Sequence, residues 1–135
     1  MKTIHKVVAI VVKNNELLVV KKVGKDIYTG LGGKPKGTET EQEALLREIK
    51  EECGCEARLV RKIGDFEDDA VFDPGMRVKL SCYLTDLKGT PRVSDPELEK
   101  IIFIGKDYKS KGITLSPSFE SQILPRLRKE FLIRW

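Results

Sequence analysis

The sequence predicts an α/β fold, a mixed α/β sandwich. Three observations point to it. Short β-branched runs, "IHKVVAIVVK" and "ELLVVKK" among them, recur along the chain with turn signals between them. A helical period runs from Thr38 or Thr40 to Cys53, and a second follows Ser116 near the C-terminus. Helices interspersed among about six strands belong to layered α/β sandwiches.

Taken in order, residues 4–13 and 16–22 read as strands joined through Asn14-Asn15, a pair that favours a hairpin turn. The extended piece "IYTGL" leads into a glycine loop, "GGKPKG". The helix that follows is stopped by Gly54 as its C-terminal cap. Residues 56–63 and 66–72 read as two strands broken near "IGD". "MRVKLSCYLTDL" alternates as a strand does, "KGTP" turns, and "KIIFIG" is a further strand. The last helix opens with Ser116 as N-cap and Pro117 at its first position, and Pro125 is expected to kink it.

At 135 residues and 40% hydrophobic, the chain suits one compact domain, residues 1–135. No stretch reaches the roughly 18–20 apolar residues that span a bilayer. The N-terminus shows no cleavage site, so no export signal is expected. Together with the odd number of cysteines, Cys53, Cys55 and Cys82, this implies reduced thiols and a cytoplasmic location. The net charge of +4 is mild. Arg126, Arg128, Lys129 and Arg134 form the densest basic cluster, without the aromatic interleaving of a nucleic-acid surface. Neither nucleic acid nor membrane is expected as a partner, whereas a polyphosphate ligand suits the weak basicity. The protein is expected to be a monomer or a homodimer.

The first helix carries an unusual feature. Placed at about 100° steps from Glu48, Leu45, Leu46, Ile49 and Cys53 form a core stripe. Ala44, Glu48, Glu51 and Glu52 border that stripe, and Arg47, Glu43 and Lys50 face solvent. Like charges three and four residues apart destabilise a helix by a few tenths of a kcal/mol, about 0.2–0.5 per pair. Two readings fit: a solvated charged face, or a set of hard oxygen ligands for a divalent cation, with Ala44 leaving space beside Glu48. The glycines of the loop, Gly30, Gly32, Gly33 and Gly37, could aim carbonyls at a metal or amides at phosphate. The loop lacks the GK[ST] of a phosphate-binding P-loop.

Gly33, Glu39 and the run Arg47-Glu48-Ile49-Lys50-Glu51-Glu52-Cys53-Gly54-Cys55 together resemble the Nudix box, with Cys55 standing where a larger aliphatic is usual. The flanking hairpin and the acidic "SDPELEK" fit the same family. The resemblance implies a small MutT-like Nudix hydrolase with an α/β/α sandwich, the box helix on one side and a C-terminal helix on the other. It implies Mg²⁺- or Mn²⁺-dependent cleavage of a diphosphate linkage in a nucleoside diphosphate-X compound. By position, Glu51 and Glu52 would be metal ligands with the backbone carbonyl of Gly32. Glu48 would hold a further metal or act as base for the attacking water. Arg47 would orient these carboxylates with Glu39, and Gly54 would be structural. Glu97, with Glu99 as second choice, would complete the metal site, and Gly33 and Lys34 would contact substrate.

Substrate choice lies outside the box. No coenzyme A motif precedes it, and Phe72 and Pro74 fit poorly the placements that mark ADP-ribose and dinucleoside polyphosphate hydrolases. A nucleoside triphosphate, normal or oxidised, is the default, cleaved to NMP and pyrophosphate. Tyr28, Phe72, Phe103 and Phe119 are candidates for base stacking or for the core. The alternatives are an ADP-ribose or dinucleoside polyphosphate hydrolase, a non-catalytic nucleotide-sugar sensor, and an RNA-decapping factor. The sensor reading sits badly with a full set of box carboxylates. His5 is expected at a strand end or surface, and Cys53-Gly54-Cys55 lacks zinc-site spacing. Mutual repulsion among the three glutamates further predicts that Glu51→Gln raises the stability of the metal-free protein.

Overall fold

The computed structural model describes residues 2–135. Nine strands and two α-helices occupy the described residues. β1 (Thr3–Ile10) and β2 (Val12–Lys13) are one extended run that changes sheets at Val11. β3 (Glu16–Lys22) follows a turn in which Asn14 and Asn15 hold φ of 52° and 62°. Asparagine tolerates that left-handed region, which closes a two-residue hairpin. The piece "IYTGL" divides into β4 (Ile27–Thr29) and β5 (Leu31–Gly33), one in each sheet.

Helix α1 (Glu41–Cys53) is bounded by local chemistry. The Thr40 hydroxyl accepts from the Glu43 N–H at 3.1 Å, and the Glu43 carboxylate accepts from the Thr40 N–H at 2.9 Å. This capping box satisfies two donors that a helix start leaves open. At the other end Gly54 takes φ of 74°, and its N–H donates to Lys50 O.

β6 (Glu56–Asp69) and β7 (Arg77–Lys88) form a long antiparallel ribbon. The expected break near "IGD" is absent. Register shifts between Leu59 and Arg61 and between Lys62 and Gly64 absorb the irregularity, so β6 bends without stopping. The first sheet has the order β5-β1-β7-β6, with β1 and β7 parallel. In the second, β8 (Leu98–Ile104) flanks β3 on one side and β4 on the other, and β4 pairs with β9 (Thr114–Leu115).

Alternation along β1 and β3 feeds two cores. Val7, Ala9, Val11, Leu18 and Val20 pack with Ala44, Leu45, Ile49 and Cys53 of α1. Val8, Ile10, Leu17 and Val19 pack on the opposite face with Phe119, Ile123, Leu124 and Leu127. The strands thus lie between the two helical segments as an α/β/α sandwich.

The C-terminal helix holds a difference from expectation. The irregularity lies ahead of Pro125. Residues Phe119–Ile123 widen into a π-helical turn in which the Leu124 N–H reaches Phe119 O, before α2 (Leu124–Lys129) resumes. Proline has no N–H to close the normal bond, and the extra residue re-aligns the apolar positions. In an unbroken helix Glu120 would sit at about 100° from Phe119, within the Ile123–Leu124–Leu127 stripe. With one residue inserted, Leu124 and Leu127 fall within about 40° of Phe119. Glu120 then lies outside and accepts from the Tyr108 hydroxyl.

α2 ends in a Schellman pattern, with the Leu132 N–H on Leu127 O and the Phe131 N–H on Arg128 O. The left-handed position that glycine usually fills is Phe131, at φ of 57°, with its ring 84% exposed. Phe131→Gly relieves that strain and loses little packing. It should raise stability by about 0.5–1 kcal/mol, a few degrees in Tm by thermal melting.

Candidate active site

Three elements bring the site residues together. β5 runs beside β1, and α1 packs across both, so that the loop glycines face the acidic arc of the helix. Gly32 holds φ of 148°, and a Cβ there would lie 1.8 Å from Val7 O, a contact no side chain survives. Its N–H donates to Glu52 Oε1 at 2.7 Å. A Cβ on Gly33 would stand 2.5 Å from the Glu48 carboxyl carbon. Gly33 is therefore space for the Glu48 carboxylate, and Gly32 lets β5 close on the backbone of β1.

The burial of α1 corrects the helical-wheel expectation. Ala44 is fully buried and leaves no space beside Glu48, while Leu46, expected in the core stripe, is 41% exposed. The buried arc runs from Ala44 through Glu52, Leu45 and Ile49 to Cys53. Glu48 and Glu52 lie within it, not beside it. Glu52 is 6% exposed, and burial pushes its carboxyl up to about 8, against the donation from Gly32. Burial also raises Glu48, although Arg47 opposes the shift.

Arg47, expected to face solvent, folds back over the acidic face. Its Nε and Nη2 hold Glu39 in a fork at 2.7 and 2.9 Å, Nη2 also reaches Lys34 O, and Nη1 donates to Glu48 Oε1 at 3.0 Å. Arg47 first, then the Lys36 N–H, holds the Glu39 carboxyl down at about 2. One planar cation thus ties the glycine loop to the helix.

Glu51 differs from its neighbours. Its side chain is 47% exposed and lies 3.3 Å from Arg47 Nη1, outside the cleft wall. The expectation that Glu51→Gln stabilises the metal-free protein loses its premise, because the substitution removes an ion pair as well as two repulsions. Among the described residues no three acidic, histidine or cysteine side chains gather into a compact ligand cluster.

Gly32, Gly33, Lys34, Glu48, Glu52 and Glu97 all line one cavity of about 650 Å³. Glu99 stays out of it and pairs with Lys21 at 3.0 Å. The cavity also takes residues that sequence reasoning did not single out, chiefly Asp95, Lys6, Lys22 and Ser118. Asp95 is placed by the segment after β7. The Arg92 N–H bonds Cys53 O and the Ser94 N–H bonds Glu52 O, which fastens that segment to the end of α1. Asp95 Oδ1 then accepts from the Glu97 N–H at 2.8 Å. Glu97→Gln should lower turnover by about three- to tenfold, and Glu99→Gln should leave it unchanged. Steady-state rates for both variants decide this, and equal rates would return Glu97 to plain surface.

Of the candidate aromatics, Tyr28 is buried core and Phe103 packs against the α1 side. Phe119 is buried but contributes to the cavity wall. Phe72 lines the cavity with Lys22 and Lys25 ammonium groups 5.8 and 5.3 Å from its ring centre. His5 lies on the other side of β1, where its Nε2 is 2.9 Å from the Ser81 hydroxyl and 3.2 Å from Glu41. Glu41 also accepts from Tyr83 and Lys62, so this network fastens the start of α1 to the first sheet. Cys53, Cys55 and Cys82 are free and buried.

Among the described residues no helix is long and apolar enough to cross a membrane. The family model described as NUDIX domain matches residues 3–107. No curated protein matches the sequence significantly. A NUDIX hydrolase from Nitrosomonas europaea is similar in structure, with a TM-score of 0.80, 14% identity, and coverage of 99% of this chain and 97% of that one. A MutT protein from Methanosarcina mazei Go1 gives a TM-score of 0.78 at 17% identity, covering 96% of both chains. A UDP-X diphosphatase gives 0.79 at 18% identity, covering 98% of this chain and 64% of that protein.

Proposed function

The chain belongs to the NUDIX domain family, whose members are pyrophosphohydrolases acting on nucleotide-linked substrates, and from that premise we propose that it hydrolyses nucleoside triphosphates to NMP and pyrophosphate. One observation carries the choice of substrate. Beside the carboxylates that would hold an ion, the cleft that contains Glu48 and Glu52 is lined by Lys6, Lys22, Lys25, Lys34 and Lys36, enough ammonium groups to meet the oxygens of a triphosphate.

Nudix hydrolases generally need a divalent ion such as Mg²⁺ or Mn²⁺. The residues fit one. Glu52 is a buried carboxylate raised by desolvation, and Glu48 is desolvated beside it, both presenting the hard oxygens such ions select. Glu52, Glu48 and, from the rim, Glu51 would hold the ion with the Gly32 carbonyl, and Glu97 would join from the facing segment. When bound, it supplies neutralisation of the diphosphate oxygens and a lowered pKa for bound water.

The chain's own groups do the rest. Arg47 fixes the Glu48 rotamer through Oε1, which leaves Oε2 to take the proton of the attacking water. The Gly32 N–H fixes Glu52, and Gly33 keeps the backbone clear of both carboxylates. Lys34, which lines the same cleft, would bind a phosphate oxygen. Water adds across the phosphoanhydride, NMP and pyrophosphate leave, and the released proton passes to Glu48.

A comparison of kcat/KM across nucleoside triphosphates, including oxidised purines, against ADP-ribose, dinucleoside polyphosphates and UDP-sugars tests the substrate class. A nucleoside triphosphate should lead the panel. A UDP-sugar or ADP-ribose in first place would overturn the choice while leaving the reaction type intact.

A further inference from the structure

Lys6, Lys22 and Lys34 come from β1, β3 and the loop after β5, and all three line the same cavity as Glu52. Lys6 and Lys22 are half-buried. Among the described residues the ion pairs lie elsewhere: Lys21 pairs with Glu99, Lys62 with Glu41 and Asp65, and Lys6, Lys22 and Lys34 with none. Lys6 feels burial as well as Lys22 and Lys34, offset in part by Asp73 and Glu52 and by no direct ion pair, so a charged Lys6 is held in the cleft against desolvation. Strand alternation makes the position of Lys6 more pointed still. It shares a face of β1 with Val8 and Ile10, which supply core, and with Ile4, which lines the cavity.

We propose that Lys6 is a substrate-binding residue and that, with Lys22 and Lys34, it forms a cradle for the phosphate chain beside the carboxylate end of the cleft. The proposal rests on the phosphoanhydride reading above, and it adds a residue that lies outside the 33–55 box. The lysines take the end of the chain that departs as pyrophosphate, and the carboxylates are left to the reacting phosphorus. A phosphate chain, with acceptor oxygens on successive phosphorus atoms, can satisfy several ammonium groups at once. The competing explanation is that Lys6 merely offsets the charge of Glu52.

Two measurements separate these roles. Inorganic pyrophosphate is titrated calorimetrically into the full chain in excess chelator. Wild type should bind it, Lys6→Met should bind at least about tenfold more weakly, and Lys6→Arg should regain most of the affinity. Lys22→Met should show the same loss, which guards against a defect private to one variant. In steady-state assays with Mg²⁺ and a nucleoside triphosphate, Lys6→Met should raise KM by about tenfold with kcat little changed.

Wild-type pyrophosphate affinity and KM in Lys6→Met would overturn the cradle, as would a loss confined to kcat. Wild-type protein that binds pyrophosphate yet hydrolyses no substrate would instead contradict the catalytic reading and leave the cradle standing.

Discussion

Glu52→Gln is expected to abolish turnover while the variant still folds and still binds nucleotide. The amide keeps the shape of the carboxylate and can keep the 2.7 Å bond from the Gly32 N–H, since its oxygen accepts as well. What it loses is the charge, and with it the group best placed to hold a divalent ion. Loss of a catalytic ion typically removes several kcal/mol of transition-state stabilisation, on the order of 10³-fold or more in kcat. Steady-state kinetics, with nucleotide affinity measured separately, check the split. A Glu52→Gln variant with more than about a tenth of wild-type kcat would remove Glu52 from the metal site.

The second large effect is on stability, and its sign follows from burial. Glu52 titrates near 4.5 when unperturbed and is pushed up to about 8 in the folded protein. Between those values the native state holds a proton that the unfolded chain has released. Stability of the metal-free protein therefore falls as pH rises through this window, with a slope approaching about 1.4 kcal/mol per pH unit. The cost is absent at pH values below the unfolded pKa and complete above the folded one. Glu39, held at about 2, does not contribute in this window, because it is ionised throughout in both states above pH 5 or so.

Mg²⁺ should oppose the trend. It binds the ionised site in the folded state alone, so the increment in Tm it produces should grow with pH. Glu52→Gln should flatten both the metal-free pH dependence and the response to Mg²⁺. Thermal melts from pH 5 to 8.5, with chelator and with millimolar Mg²⁺, read all four curves. A wild-type Tm that rises with pH in chelator would contradict the burial argument.

What the sequence revealed of this fold and site follows the range of the interactions involved. The C-terminal cap of α1 was legible because Gly54 acts on its own neighbours, while the start was narrowed only to Thr38 or Thr40 and the Thr40–Glu43 capping box went unread. The acidic residues were legible because helical spacing alone puts them on one side. How deep they sit was not, since it depends on β1 and β5 crossing that helix face, and Ala44 and Leu46 exchanged places relative to expectation. The helical wheel alone turned Arg47 to solvent, whereas the box resemblance paired it with Glu39, and its long side chain bends back eight positions to make that pair. β6 was divided because Gly64 reads locally as a break, whereas a long partner strand can carry a bulge. Asp95 depends on backbone bonds between the Arg92–Ser94 segment and the end of α1, which no local pattern announces. Lys6 did leave a signal: a lysine in an apolar row of a strand.

The central claim is ion-dependent cleavage of a phosphoanhydride in the cleft of Glu48 and Glu52. Phosphorus NMR of a nucleoside triphosphate incubated with the wild-type protein tests it most directly, in parallel samples with Mg²⁺ and with excess chelator. The account predicts NMP and pyrophosphate with Mg²⁺ and unreacted triphosphate with chelator. Equal cleavage in both samples, or release of orthophosphate in place of pyrophosphate, would contradict it.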